Sequence, residues 1–191
     1  MLKALITSKA RRTILKYFYV QGEESTPYVR QIVRDTKLEI NAVRRELIRL
    51  REGKILNELP RGNRLHYQLN TKHPYYYNLA KIFARESGLG REILRNKKKL
   101  GNINFCLLSL GFYLKRNPRN PVDIVIVGNI YLTEMKRVIT TYEKDNDVEV
   151  NYMVLSKEEF SIFKDRKDPL LINALNQPRA IIIGDEFRYL N

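Results

Sequence analysis

The spacing of apolar residues changes near residue 100, and this change constrains the fold more than any other feature of the 191-residue chain. Before that point apolar residues recur every three or four positions, which is typical of amphipathic helices. After it, short apolar runs such as VDIVIVGN alternate with helical patterns, which is typical of an α/β layered structure. The sequence therefore predicts a two-domain α+β protein, with a first domain over 1–72, a linker over 73–100 and a second domain over 101–191.

Three helices followed by a β-hairpin are predicted in the first domain. Ser8 is a candidate cap for the first helix, and Gly22 is a candidate stop. Ser25 or Thr26 would cap the second helix, with Pro27 as its first residue, an arrangement that helices favour. The third helix has a single apolar stripe and ends at a glycine; these residues are Ile40, Val43, Leu47, Leu50 and Gly53.

The hairpin is predicted from two short strand patterns, KILNEL and RLHYQLN, joined by the turn signal PRGN. Leu65, Tyr67 and Leu69 are expected to alternate toward the interior in its second strand. This order of elements resembles the winged helix-turn-helix domain of ArsR/MarR-like transcription regulators, over about residues 8–70. The segment VRRELIRLREGKIL is similar to the recognition helix of that group running into its first wing strand. The resemblance implies a domain that binds double-stranded DNA.

Polar residues are predicted on the face of the third helix that lies opposite its apolar stripe. At about 100° per residue, one asparagine and three arginines lie opposite or beside that stripe, and donors of this kind reach base edges from the major groove. Two further arginines in the hairpin would meet phosphate or the minor groove. A solvated helix face without a ligand is the alternative interpretation. The DNA-binding candidates are Asn41, Arg44, Arg45, Arg49, Arg61 and Arg64.

Charge is distributed unevenly along the chain. The net charge of +14 comprises +9 in residues 1–72 and +5 in residues 73–100, whereas residues 101–191 contain 12 basic and 12 acidic residues. Charging for solubility alone would not concentrate the excess in the first hundred residues, so the distribution favours a polyanionic partner. RNA is an alternative polyanion, although no exposed aromatic platform of the kind that single-stranded RNA needs is evident.

Targeting and redox signals are sparse in this sequence. No apolar run approaches the about 18–20 residues that span a bilayer, and the N-terminal segment lacks the apolar core of a signal peptide. We therefore expect a cytoplasmic protein without a membrane partner. The single cysteine, Cys106, excludes an intrachain disulfide and is expected to be a buried apolar residue. Neither His66 nor His73 is expected to bind a metal, and no cofactor is expected.

A helix is predicted in the linker, starting at Pro74, with an apolar stripe formed by Tyr75, Leu79, Ile82 and Phe83. In winged-helix regulators a helix at this position often supplies the dimer seam, so the resemblance implies a homodimer. Packing between the two domains is the alternative role for the same stripe. A homodimer is also favoured because a single winged helix contacts too few bases for high specificity.

The second domain has four strand patterns, INFCLLSLGFYL, VDIVIVGN, VEVNYMVLS and RAIIIGDE, with the helical patterns LTEMKRVITTYEKD and PLLINALNQ between them. Over nearly all of 101–191 this order is similar to a minimal nucleotidyltransferase of the polymerase-beta-like superfamily. The end of the chain, from SKEEF to GDE, resembles members of that group that follow a winged helix. The resemblance implies an α/β domain with a small mixed sheet.

Active nucleotidyltransferases hold nucleotide phosphates with a Gly-Ser pair and bind divalent cations with an Asp-x-Asp pair. In this chain Pro121 stands where the first acid belongs, and only Asp123 remains of the pair. The Gly-Ser position falls on residues 109–111, which lack that pair. Bulky Phe112 and Tyr113 follow and could obstruct the phosphate cradle. The domain therefore departs from the pattern of active members at most of these points.

Asp123 is expected to lie at the edge of its strand near water, since a buried carboxylate is costly. Glu149 and Asn151 are expected to share one face of the third strand, so that Asp123 and Glu149 could form a weak site for one metal ion. Such a site without a phosphate loop would catalyse poorly. We therefore expect a catalytically degenerate domain, without a metal, that serves dimerisation, a protein partner or a nucleotide-like effector. An active nucleotidyltransferase and an antitoxin-like partner protein are the alternatives.

Overall fold

The computed structural model describes residues 2–116 and 121–190. Within these ranges the chain forms eleven helices and two small β-sheets, which confirms the α+β class. It divides into two compact units, Met1–Leu79 and Ala80–Asn191. The boundary between them falls inside the segment 73–100. None of the helices in the described ranges combines the length and the apolar composition that crossing a membrane requires.

The first unit has a core made by three helices that pack on one another. Its elements are α1 (Leu2–Leu5), α2 (Lys9–Gln21), α3 (Val29–Thr36), α4 (Ile40–Glu52), β1 (Leu56–Arg61), β2 (Arg64–Leu69) and the first part of α5 (Tyr76–Glu86). The buried residues of α2, α3 and α4 are apolar with one exception, Glu46. The predicted stripe of the third helix is confirmed at Val43, Leu47 and Leu50, which are at most 3% exposed.

Local signals at the ends of α2 and α4 are confirmed. The side chain of Ser8 accepts a hydrogen bond from the backbone N–H of Arg11, and Gly22 ends α2 at a φ of 91°. Gly53 follows α4, and its N–H donates to the carbonyl of Arg49 at 2.9 Å. Side-chain capping and glycine at a helix end satisfy backbone groups within a few residues of the chain. They are therefore visible in the sequence.

The predicted start of the second helix is wrong, because α3 begins at Val29 rather than at Pro27. The preceding residues are extended and pair with the hairpin instead. The N–H of Tyr67 donates to the carbonyl of Pro27 at 3.0 Å, and Tyr28 forms a β-bridge with His66. Pairing with a strand that lies 40 residues further along the chain has outweighed the local preference of proline for a first helical position.

The hairpin pairs β1 and β2 in antiparallel register from Leu56 opposite Leu69 to Arg61 opposite Arg64. Two residues connect the strands, and the first of them is a glycine with a φ of 55°, as a tight hairpin turn with glycine at its first central position requires. Tyr67 and Leu69 are buried as expected.

The expectation that Leu65 points inward is wrong, because its side chain is 44% exposed. Leu65 lies opposite Pro60, one pair from the tip of the hairpin. The strand extends beyond the core there, so alternation along the strand no longer places an apolar side chain in the interior.

The linker helix also starts later than predicted, at Tyr76 rather than Pro74. Tyr75 is 63% exposed, so its assignment to an apolar stripe is wrong, whereas Tyr76 is 2% exposed. The hydroxyl of Tyr76 donates to Glu23 at 2.6 Å, and its carbonyl accepts from the hydroxyl of Tyr19 at 3.2 Å. These two hydrogen bonds within the first unit explain why Tyr76, and not Tyr75, points inward.

The second unit is built on a four-stranded mixed sheet, and a small mixed sheet was expected there. The elements after α5 are α6 (Gly88–Asn96), β3 (Gly101–Ser109), α7 (Leu110–Tyr113), β4 (Ile124–Ile130), α8 (Leu132–Asn146), β5 (Tyr152–Leu155), α9 (Lys157–Asp165), α10 (Pro169–Asn176), β6 (Arg179–Ile183) and α11 (Glu186–Leu190). The strand order, β5-β4-β3-β6, was not predicted. Strand β3 is antiparallel to β4 and β6, and β4 is parallel to β5, so the intervening α8 makes the crossover that parallel neighbours need.

The centre of this sheet is buried on both faces. One face of β3 and β4 packs against α9 and α10, with Phe105 stacked on Tyr189 at a centroid distance of 4.7 Å. The intervening residues, which include Cys106 and Ile126, are fully buried as well. Burial on both sides explains why these strands are continuously apolar rather than alternating. The expected burial of Cys106 is confirmed.

Two strand boundaries were predicted too long. The pattern INFCLLSLGFYL is a strand only to Ser109, whose side chain then accepts from the N–H of Phe112 and caps α7. The pattern VEVNYMVLS forms a strand only from Tyr152 to Leu155. At residues 110–113, apolar composition does not distinguish a buried strand from a buried helical turn.

Candidate nucleic-acid interface

Helices α3 and α4 are joined by a turn of three residues, 37–39. Lys37 ends α3 in the left-handed conformation, with a φ of 57°, and its N–H donates to the carbonyl of Val33. Glu39 caps α4: its two carboxylate oxygens accept from the N–H groups of Asn41 and Ala42, each at 2.8 Å. A turn this short and capped at both ends sets the direction in which α4 leaves α3.

The outward face of α4 carries Asn41, Arg44 and Arg45, all of them exposed. Within the described part of the chain, the guanidinium groups of Arg44 and Arg45 form no hydrogen bond or ion pair. The pKa of Glu39 is lowered mainly by the N–H groups of Asn41 and Ala42, and further by the charges of Arg45 and Arg44. The helix face therefore offers donors to solvent rather than to the protein.

Arg49, the fourth candidate on α4, is partly committed to the protein. Its guanidinium lies 3.2 Å from a carboxylate oxygen of Glu46, although the side chain is 58% exposed. Glu46 also receives the guanidinium of Arg11 at 2.8 Å and the hydroxyl of Ser8 at 2.9 Å. This network joins the first turn of α2 to the middle of α4.

The burial of Glu46 was missed from the sequence. Its side chain is 6% exposed. The available signal was its position one helical turn after Val43, which lies on the buried stripe. Burial raises the pKa of Glu46, but the hydrogen bonds from Arg11 and Ser8, with the charges of Arg11 and Arg49, together lower it below its ordinary value. The carboxylate is therefore ionised at neutral pH.

The tip of the hairpin places the two remaining candidates, Arg61 and Arg64, opposite each other, and both are exposed. Arg61 donates to the hydroxyl of Thr26 at 3.2 Å. The guanidinium of Arg64 lies 4.8 Å from the centroid of the Tyr28 ring, a cation–π contact that limits its motion.

Tyr28 was missed from the sequence because its role depends on the pairing of residues 26–28 with β2. Its ring is 5.7 Å from that of His66, and Nδ1 of His66 is 2.5 Å from the carbonyl of Thr26. That contact needs a proton on Nδ1, because a carbonyl only accepts. Residues 26–28 thus hold both arginines of the hairpin.

In the second unit Asp123 is fully buried, so the expectation that it lies near water is wrong. One carboxylate oxygen accepts from the N–H of Asn151 at 2.9 Å. The backbone of Asp123 also donates to the carbonyl of Asn151 at 2.7 Å and accepts from the N–H of Ser109 at 2.8 Å. These bonds tie the carboxylate to the sheet and offset part of its loss of hydration.

Glu149 differs from Asp123 in its surroundings, because it is exposed and precedes β5 instead of lying on it. The predicted placement of Glu149 on the third strand is therefore wrong. Within residues 2–116 and 121–190, no group of three or more His, Cys, Asp or Glu side chains is arranged to hold a metal ion.

The segment that takes the place of the phosphate-binding loop, residues 109–113, is packed in the interior. Ser109 is fully buried, and its hydroxyl donates to the side-chain oxygen of Gln177 at 2.9 Å. Phe112 and Tyr113 are at most 7% exposed. The hydroxyl of Tyr113 lies 2.8 Å from that of Ser87, and burial raises the pKa of Tyr113.

No protein-family model, no curated protein and no solved structure matches this chain. The two resemblances therefore stay predictions, and functional reasoning depends on the geometry of the chain itself. In that geometry α4 and the tip of the hairpin carry exposed hydrogen-bond donors, and the first unit that contains them has 16 basic and seven acidic residues.

Proposed function

We propose that the first unit is a winged helix-turn-helix domain and that the protein is a sequence-specific, double-stranded DNA-binding transcription regulator. The observation that carries this proposal is the outward face of α4, where Asn41, Arg44 and Arg45 are exposed above a helix whose opposite face is core. Long basic side chains without protein partners are what a major-groove helix needs. The net charge of +9 in residues 1–72 supplies the attraction to phosphate.

In this proposal α4 enters the major groove and each exposed side chain has a distinct role. Arg44 and Arg45 donate to guanine O6 and N7, and Asn41 pairs with the N6 and N7 edge of adenine. Arg49, held by Glu46 at 3.2 Å, contacts a phosphate, since a guanidinium already bound to a carboxylate has fewer donors left for a base. Phosphate contacts of this kind position the helix without reading sequence.

The hairpin acts as the wing. Arg61 and Arg64 reach phosphate or the minor groove from the tip of the hairpin, where Thr26 and Tyr28 support them. A side chain that is already held loses less conformational entropy when it binds. The protein acts as a cytoplasmic homodimer, because two such units on a two-fold related site double the number of bases that are read.

The second unit is proposed as a nucleotidyltransferase-like fold that has lost catalysis and serves dimerisation, a protein partner or a nucleotide-like effector. Three observations support this role. Asp123 is buried and bonded to backbone, Glu149 is exposed, and the hydroxyl of Ser109 is used by Gln177. A phosphoryl-transfer site needs carboxylates and a phosphate cradle that are open to a metal-bound nucleotide.

The test begins by selecting duplexes that bind the full chain from a random library and measuring affinity by fluorescence anisotropy at several salt concentrations. Affinity for the selected duplex should fall steeply with salt. Arg45→Ala should weaken binding to that duplex by about 1–3 kcal/mol, roughly five- to 150-fold, through loss of a bidentate base contact. Its affinity for an unrelated duplex should change much less.

Arg91→Ala is the matched control, because Arg91 is an exposed arginine on α6 and its removal changes net charge equally. It should leave discrimination between the two duplexes intact. The absence of salt-dependent binding to any duplex would contradict DNA binding altogether. Equal effects of Arg45→Ala and Arg91→Ala would contradict docking through α4.

A further inference from the structure

Ile48 is an exposed apolar residue on the same strip of α4 as the candidate base contacts. It follows Asn41, Arg44 and Arg45 by seven, four and three residues, the spacings that align side chains along one helix face. Its side chain is 44% exposed, whereas Val43, Leu47 and Leu50 on the core side of α4 are at most 3% exposed. Ile48 is thus the apolar member of an otherwise polar, outward strip.

The residue after Ile48 does not replace it on that strip. Arg49 is bonded to Glu46, which is anchored in turn by Ser8 and Arg11. The guanidinium of Arg49 is therefore drawn toward α2. At this level of the helix, the strip that begins with Asn41 presents a branched hydrocarbon instead of a donor.

The major groove offers an apolar side chain one kind of group on the base edges, the methyl at C5 of a pyrimidine. We infer that Ile48 packs against a pyrimidine 5-methyl group and thereby specifies thymine, or its methylated cytosine equivalent, at one position of the bound site. This inference rests on the proposed function and deepens it. The β-branched side chain of isoleucine has few rotamers in a helix, so little entropy is lost on contact.

The helix geometry also gives the spacing of that position. Arg44 and Ile48 are four residues apart, or about 6 Å along the helix axis. Base pairs are stacked about 3.4 Å apart. Because a helix in the major groove is inclined to the DNA axis, the methyl group should lie at most about two base pairs from the base that Arg44 contacts.

A protein partner fits this strip less well than DNA. Covering Ile48 would also cover Arg44 and Arg45, which form no ion pair within the described residues. Burying two unpaired guanidinium groups against a protein surface is costly. DNA offers them base acceptors and phosphates on either side of the methyl group, so one ligand satisfies all three side chains.

The experiment replaces each thymine of the selected duplex, one at a time, by deoxyuridine, which lacks only the 5-methyl group. With the full wild-type chain, one thymine in each half-site should weaken binding by about three- to fivefold when replaced, as expected for one buried methyl group. Ile48→Ala should bind the thymine and uracil duplexes equally well. Ile48→Val, which keeps a branched side chain, should retain most of the discrimination.

Ile162→Ala is the matched control, since Ile162 on α9 is 45% exposed and the same side chain is removed. It should discriminate thymine from uracil as the wild type does. A third duplex with 5-methylcytosine opposite guanine at the critical position distinguishes the two sources of the methyl group. If it binds more tightly than the thymine duplex, methylated cytosine is the target; if less tightly, thymine is.

The outcomes separate this inference from the proposed function. If the wild-type chain selects no duplex, both are overturned. If it binds a selected duplex with salt dependence but tolerates deoxyuridine at every position, the inference alone is overturned. The same conclusion follows if Ile48→Ala still prefers thymine over uracil and its thermal unfolding curve shows that the variant is folded.

Discussion

The two units bury one carboxylate each among the residues that the structure describes, and they hold it in opposite ways. Glu46 in the first unit is bound by Arg11, Arg49 and Ser8, two of which carry charge at the surface. Asp123 in the second unit is bound by the backbone of Asn151 inside a sheet. Glu46 orients charged groups that face solvent, whereas Asp123 stabilises the backbone of the buried sheet.

This difference shows that a buried acid does not indicate catalysis by itself. Asp123 has the burial that active-site acids often have, but among the residues that the structure describes it is the one buried acid of its unit, and its carboxylate accepts from backbone. Glu46 is buried beneath a basic surface and binds the guanidinium groups of Arg11 and Arg49, so its role is to position these two arginines. The partners of each carboxylate decide its role.

The largest effect is expected from Gly128→Ala, which tests how closely strands β3 and β4 of the second unit approach each other. A Cβ at Gly128 would lie 2.1 Å from the carbonyl oxygen of Asn102, and φ is +151°. Strain and overpacking together should lower the free energy of unfolding by about 3–5 kcal/mol, measured by denaturant unfolding.

Gly62→Ala in the hairpin is the matched control. Gly62 also has a positive φ, +55°, but nothing lies within 4 Å of an added Cβ. The substitution should cost only about 1–2 kcal/mol, the price of the left-handed conformation for alanine. Equal losses of unfolding free energy in the two variants would contradict the interpretation that the backbones of β3 and β4 leave no room for a Cβ at Gly128.

A smaller effect is expected from Asp123→Ala, which removes the acceptor for the N–H of Asn151. Loss of a buried partner should lower the free energy of unfolding by about 2–3 kcal/mol. Glu149→Ala, at an exposed position, should change it by less than about 1 kcal/mol, as for an exposed charged side chain. Thermal unfolding of both variants and of the wild type measures these differences.

The same thermal measurements, repeated with nucleoside triphosphate and Mg²⁺, distinguish a structural acid from a metal ligand. The wild type should show no rise in Tm, because the carboxylate of Asp123 is buried and bonded to backbone, whereas Glu149 is exposed. A rise in Tm that is present in the wild type and absent in Asp123→Ala would contradict a purely structural role for Asp123 and favour an active nucleotidyltransferase. Transfer of label from the nucleotide would have the same meaning.

The smallest effect is expected from Glu46→Gln, because both arginine partners are partly hydrated, with side chains 37% and 58% exposed. At neutral pH it should cost about 1–2 kcal/mol of unfolding free energy. The pKa of Glu46 is lowered on folding, so its contribution is complete above the ordinary value of 4.5 and is lost as the pH falls through the folded value.

Unfolding curves measured from pH 7 down to about pH 3 check this sign, since the wild type and Glu46→Gln should converge at acid pH. Glu58→Gln is the control, because Glu58 pairs with Arg51 at 3.1 Å on the surface and should change stability by less than about 1 kcal/mol. A gap between the wild type and Glu46→Gln that widens toward acid pH would contradict a lowered pKa.

Several elements could be predicted from the sequence because their causes lie within a few residues. The stripe of α4 and its stop at Gly53 follow from helical spacing and from the glycine itself. The order of strands and helices in the second unit follows in the same way, although strand ends were misplaced at Ser109 and Tyr152. The exposure of Arg44 and Arg45 follows from their position opposite the stripe.

The remaining features depend on partners that are distant in the chain. Tyr28 supports Arg64 because residues 26–28 pair with β2, and that pairing prevents a helix from starting at Pro27. Glu46 is buried because Ser8 and Arg11, on another helix, supply its hydrogen bonds. No pattern within a short window specifies which distant group will satisfy a buried polar atom.

The sequence alone determined the periodicity of the helices, the uneven charge and the identity of the donors on α4, because these are properties of neighbouring residues. The tertiary structure decided the surroundings of the two buried acids, Asp123 and Glu46. It enclosed Asp123 in the sheet beside Asn151, where water was expected, and it placed Glu46 against α2, where no charge was expected. A carboxylate is buried only where folding brings donors to it, and those donors come from remote parts of the chain.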